Sequence, residues 1–145
     1  MSDAHDLKRF VDAQAEVYAS VITELKQGRK RSHWMWFIFP QAAGLGFSAM
    51  AARFAIHSRA EAKAYLAHDS LGPRLTECTR LVLDVRGEGI HDILGSPDDL
   101  KFRSSMTLFG AVSNDPIFGQ AIAKYYRDGE DPATLDILAR LDRHG

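Results

Sequence analysis

A chain of 145 residues is long enough to bury a core of its own and short enough to form one domain. Its 46% apolar and 26% charged residues are ordinary for a globular protein, and its one cysteine, Cys78, excludes an internal disulfide. A net charge of −1 gives no general attraction to nucleic acid or to a membrane, so neither is expected as a partner.

The opening MSDAHDLKRF carries acids and no apolar core, so it does not read as a signal peptide. The longest apolar run, Trp34 to Phe39, falls far short of the ~20 residues a membrane-spanning helix needs. A cytoplasmic location is therefore expected.

Taken in order, Leu7, Phe10, Val11, Gln14, Val17, Tyr18, Val21, Ile22 and Leu25 recur at three- and four-residue steps. This predicts one long amphipathic helix over 4–27, closed by Gly28. The next stretch, GRKRSHWMWFIFPQ at 28–41, predicts a short buried helix that Pro40 ends, with Ser32 as a cap for a turn starting at His33. After the Gly44-Leu45-Gly46 loop, a compact helix is expected over 48–55. Ser58 and Glu61 form a capping box for a helix over 59–67. Asp69 or Ser70 opens another, which runs to about Arg86 and ends at Gly87 and Gly89. Three capping residues followed by proline (Ser96-Pro97, Asp115-Pro116, Asp131-Pro132) predict helices over 97–111, 116–127 and 132–142. The expected fold is all-α, a single compact domain over 1–145, with one long N-terminal helix and about six shorter helices packed around it.

Charge distribution gives the best clue to function. From Leu25 to Ala60 there is no Asp or Glu, and Lys26, Arg29, Lys30, Arg31, Arg53 and Arg59 give that window +6, against −7 for the remainder. Arg29, Lys30 and Arg31 follow a glycine, so free backbone N–H groups are expected beside them, and guanidinium forks suit phosphate or carboxylate oxygens. Trp34 and Trp36 could stack on a planar group beside those cations, or fill the core. His33 could act as an acid/base, although no neighbouring acid orients it. In a second stretch, Lys101, Ser104 and Ser105 flank the core face of Phe102, Met106 and Phe109, giving a polar lining. A Ser–Lys dyad can be drawn there, with no visible oxyanion hole; Ser104 and Thr107 bonded to helix carbonyls is the plainer alternative. No Gly-rich phosphate loop, H-E-x-x-H, C-x-x-C or G-x-S-x-G occurs, and no zinc-ligand spacing, so neither cofactor nor metal is expected.

GRKRSHWMWFIFPQ, FAIHSRAEAKAYLAHDSLGPRL at 54–75 and PDDLKFRSSMTLF at 97–109 together resemble the bacterial domain of unknown function 1810, over about residues 7–141. The resemblance implies an all-helical cytoplasmic protein and no established activity. Arg29, Lys30, Ser32, His33, Trp34, Trp36, Pro40, Gln41, Lys101, Ser104, Ser105, Met106 and Thr107 carry the signature. Some family members bear the label calpastatin. It would imply a largely disordered inhibitor chain and does not suit regular amphipathic helices.

The function expected from these stretches is binding of a small anionic ligand, phosphorylated or nucleotide-like. Arg29, Lys30, Arg31, Ser32, His33, Trp34, Trp36 and Gln41 would meet Lys101, Ser104 and Ser105 across a basic, aromatic-lined cleft. Two alternatives stand beside it: an enzyme acting on such a ligand through His33, and a non-catalytic adaptor whose basic face docks an acidic protein.

Overall fold

The structure, a computed structural model, describes residues 3–144. Asp3 accepts hydrogen bonds from the amides of Leu7 and Lys8 and so opens the first helix, α1 (Lys8–Ala15). A second, α2 (Tyr18–Lys26), follows at once. The long N-terminal helix expected from periodicity is therefore two short ones. At the junction the Val17 amide donates to Gln14 O, three residues back, which tightens the turn and ends the i→i−4 ladder. The two halves serve different neighbours. Phe10 of α1 sits edge-on to Tyr65, and the fully buried Gln14 donates to Phe37 O and to the Tyr65 hydroxyl. Helix α2 instead packs on a later helix, α6 (Leu71–Asp84). The apolar stripe runs unbroken through the junction, so the bend leaves no trace in its period.

Gly28, at φ +74°, turns the chain out of α2, as a left-handed position asks of glycine. The expected short helix is present as α3 (Met35–Ile38). Trp34, Met35, Phe37, Ile38 and Phe39 are buried, and Trp36 is only half-buried. Phe39 leaves the helical region ahead of Pro40. The chain then makes one isolated parallel bridge, with Ile56 donating to Gln41 O and Ala43 donating to Ile56 O.

Ser48 caps α4 (Ala49–Arg53) and Ser58 caps α5 (Arg59–Ala67), each accepting from the amide three residues on. Glu61 does not return to the cap residue as in a full capping box. It accepts from the His57 amide and from Arg9, whose guanidinium also donates to the carbonyls of His5, Asp6, Arg53 and Ala55. Helix α6 is opened by His68 rather than by Asp69 or Ser70: its Nδ1 accepts from the amides of Ser70 and Leu71.

A helix not expected from sequence, α7 (Ile90–Leu94), precedes α8 (Asp98–Val112), α9 (Ile117–Tyr125) and α10 (Pro132–His144). Asp115 accepts from the Ile117 amide as a cap should, whereas Ser96 makes no such bond and α8 closes on the carbonyls of Gly95 and Pro97. The architecture is all-helical, with ten helices among the described residues and α8 at the centre. Ser104 to Phe109 are buried on every side of α8. Its Phe102 meets Phe39 edge-on at 4.8 Å between ring centres, and Phe109 packs on Tyr65 and Phe118. No helix among the described residues is long and apolar enough to cross a membrane.

Gly72, near the start of α6, is pressed against α5: a Cβ there would lie 2.0 Å from the Leu66 carbonyl oxygen. Helix propensity favours alanine over glycine by at most about 1 kcal/mol. The backbone clash outweighs that gain. Gly72→Ala should destabilise the fold by about 2–3 kcal/mol, a loss of roughly 5–10 °C in Tm. A melt followed by circular dichroism checks the sign.

Candidate functional site

The loop from Gly28 to Trp34 is folded around one carboxylate. Glu24 lies one residue before the acid-free window and is 8% exposed. It accepts hydrogen bonds from the Arg31 amide at 2.6 Å, the Ser32 amide at 3.0 Å, the Ser32 hydroxyl and Trp34 Nε1 at 3.0 Å. Burial by itself would raise its pKa. The Ser32 hydroxyl, the Arg31 amide, the Trp34 indole and the Ser32 amide together outweigh burial and hold it at about 2. Amides that sequence reasoning left free thus already hold an anion, the chain's own. Ser32 serves Glu24 and does not cap α3.

The lysines are placed differently. Lys30 Nζ lies 2.8 Å from Asp98 Oδ2, with the two side chains only 9% and 17% exposed, and 5.2 Å from the centre of the Trp34 ring system. The Lys101 ammonium approaches the other oxygen of Asp98 at 3.7 Å and sits 5.1 Å above Trp36. Two cations 71 positions apart in sequence therefore converge on one carboxylate, each over an indole. The Phe39–Phe102 contact brings this about, because it docks α3 on α8 one residue from Lys101. The acid-free window takes counter-ions from elsewhere: Asp98 for Lys30, and Asp142, which receives both Nε and Nη2 of Arg59. Arg29, Arg31 and His33 are exposed and make no ion pair among the described residues.

Along α8 the polar residues divide by task. The Ser104 hydroxyl donates to Asp131 Oδ2 at 2.7 Å and Thr134 donates to the same oxygen. Thr107 accepts from the Asp131 amide while donating to Arg103 O, and Arg103 donates to the carbonyls of Gly129 and Glu130. These bonds fasten the turn before α10 onto α8. Burial acts to raise the Asp131 pKa, but the Thr134 and Ser104 hydroxyls and the amides of Ala133 and Thr134 keep it below the usual carboxylate range. Ser105 is fully buried and its hydroxyl has no partner, so the drawn Ser–Lys dyad is not formed.

A cleft of about 380 Å³ opens between the loop before α4, the start of α8 and the turn before α10, and Gln41, Phe47, Leu100, Lys101, Ser104 and Asp131 are among its lining. It adjoins a smaller hollow of about 190 Å³ that reaches Trp36 and His57, with Gln41, Gly46 and Ala51 common to both. Of the residues predicted from sequence, Lys101, Ser104, Trp36 and Gln41 line these cavities. Lys30, Trp34 and Ser32 stand behind them as support, Arg29, Arg31 and His33 face outward, and Ser105 is enclosed. Sequence reasoning missed Glu24, Asp98, Asp131, Arg9 and Phe47. The only trace of Glu24 in the sequence is its place as the last acid before the basic window. Among the described residues no group of three or more His, Cys, Asp or Glu side chains is placed to hold a metal ion.

The family described as "Protein of unknown function (DUF1810)" matches residues 4–138. A solved structure similar to this one is that of the conserved hypothetical protein Rv1873 from Mycobacterium tuberculosis. It is 58% identical, with a TM-score of 0.93, and the match covers 94% of this chain and 99% of that one. No curated protein matches this chain.

Glu24 links stability to pH. Its folded-state pKa lies below the ordinary value of 4.5, so its contribution is complete above that value and is lost as pH falls toward 2. The difference corresponds to about 3 kcal/mol. Glu24→Gln should therefore cost about 3 kcal/mol at pH 7, and urea melts should show the gap between the two proteins narrowing as pH is lowered from 5 to 2.

Proposed function

The chain belongs to the DUF1810 family of proteins of unknown function, and we propose that its cleft binds a small anionic, phosphorylated ligand anchored by Lys101. One observation carries this reading. The Lys101 ammonium is the cation in the cleft wall, and it donates no hydrogen bond among the described residues. Asp98 is already paired closely with Lys30, so it does not consume the Lys101 charge. The Trp36 face below steadies the ammonium without using its N–H donors. An anion entering the cleft meets a positioned cation with open valences, and desolvation on entry strengthens their attraction. Asp131, held by Ser104 on the same wall as Lys101, keeps its charge and favours ligand hydroxyl groups over a second phosphate there. Exposed Arg29 and Arg31 add long-range positive potential on approach.

His33 lines neither cavity, so it gives no support to an enzyme reading. A reaction on the ligand would have to use His57, which lies on the smaller hollow. The adaptor reading draws on a separate observation, the exposed and unpaired Arg29, Arg31 and His33. It concerns side chains that line neither cavity and predicts association with acidic proteins that weakens steeply with salt.

A thermal-shift panel of phosphorylated metabolites tests the main reading. A ligand present at 100 times its Kd should stabilise the wild type by about 2.7 kcal/mol. Lys101→Ala should lose that shift while its melt without ligand stays close to wild type, since Asp98 keeps Lys30. An undiminished shift in Lys101→Ala would remove the anchor and with it the proposal.

A further inference from the structure

Two other groups on the cleft wall have nothing to do within the protein. The first is the Gln41 carboxamide. Its backbone is pinned by the bridge to Ile56, but its half-buried side chain makes no hydrogen bond among the described residues, and it faces both hollows. A carboxamide offers a donor and an acceptor side by side, the pair that matches the edge of a nucleobase.

The second is Phe47. It is 99% exposed, in a protein whose other phenylalanines are all buried. Its position is built and not incidental. Gly46, just before it, lies so close to α4 that a Cβ would come within 2.6 Å of Ala51 Cβ, and Ser48, just after it, caps α4. Phe47 thus occupies the place from which an apolar side chain ordinarily folds back on the fourth residue of the helix. That residue here is Ala52, which is small and exposed, so the ring has no intramolecular seat. What it does border is the cleft of Lys101 and Gln41.

We infer that the ligand is a nucleotide: its phosphate meets Lys101, its base edge meets the Gln41 carboxamide, and Phe47 closes over the base by stacking. This rests on the anion reading above and adds the chemistry of the rest of the molecule. A protein partner fits the observations less well. The three groups border one small concavity, of the size small-molecule sites have, rather than a broad apolar face. Stacking of a base on an aromatic ring is sequence-tolerant and strengthens binding by about tenfold or more.

Isothermal titration of the intact protein with two probes, ribose 5-phosphate and adenosine 5′-monophosphate, separates the two levels of the argument. Both should bind wild type, the nucleotide about tenfold tighter or more. Phe47→Ala removes a side chain that contacts nothing, so the fold should be unaffected. In that variant the nucleotide preference should shrink by about tenfold, leaving only the share owed to Gln41, while the affinity for ribose 5-phosphate should not change. Gln41→Leu should likewise weaken the nucleotide alone. Equal affinity of wild type for the two probes, or a nucleotide preference undiminished in Phe47→Ala, overturns the base-stacking inference and leaves the anion at Lys101 standing. If neither probe binds wild type, both fall together.

Discussion

The carboxylate of Glu24 is the constraint on which the functional region depends. A buried acid with four donors turned toward it fixes the backbone from Arg31 to Trp34, because each donor would otherwise be left without a partner inside the protein. Fixing that backbone sets where Trp34 enters the core, and Trp34 in turn underlies Lys30. Lys30 then holds Asp98 at the head of α8, and the start of α8 carries Lys101 into the cleft wall. The chain of dependence runs from one acid in α2 to a cation in α8 through contacts that are each geometrically specific.

Around this axis, the polar side chains of the region fall into two groups. Ser32, Ser104, Thr107, Arg103 and Arg9 are all engaged in holding loops to helices, several of them with every donor satisfied. The side chains of Lys101, Gln41 and Phe47 make no hydrogen bond among the described residues, and all three border the cleft that Ser104 and Asp131 also line. In folded proteins polar groups away from bulk water are nearly always paired. Ser105 is the buried exception, enclosed in the core, whereas Lys101 and Gln41 are reached by solvent through the cleft they line.

The sequence made the all-helical class legible, because most segments carried a clear period or cap: Ser58 caps α5 where expected, and Pro40 ends α3 as its missing N–H and its effect on Phe39 require. It also brought Lys30, Trp36, Gln41 and Lys101 into one region. What stayed illegible was tertiary. The bend at Val17 arises because α1 and α2 face different partners, and periodicity is blind to that. The five-residue α7 is too short to display a period. The basic run invited an anion from outside because the two carboxylates that meet it, Glu24 at its amides and Asp98 at Lys30, lie beyond it in sequence and reach it only through folding. Phe47 had no signal, since an isolated phenylalanine normally reads as core.

The walls of the Lys101 cleft come from residues 41–51 on one side and 97–133 on the other. This cleft exists only where the two stretches meet, and α5, α6 and α7 lie between them in the chain. Recognition at this cleft would therefore depend on a long-range contact of the fold, the meeting of two segments separated by three helices. A bound molecule would act as a clasp across that seam, protecting the amides of the first wall from hydrogen exchange as strongly as those of the second.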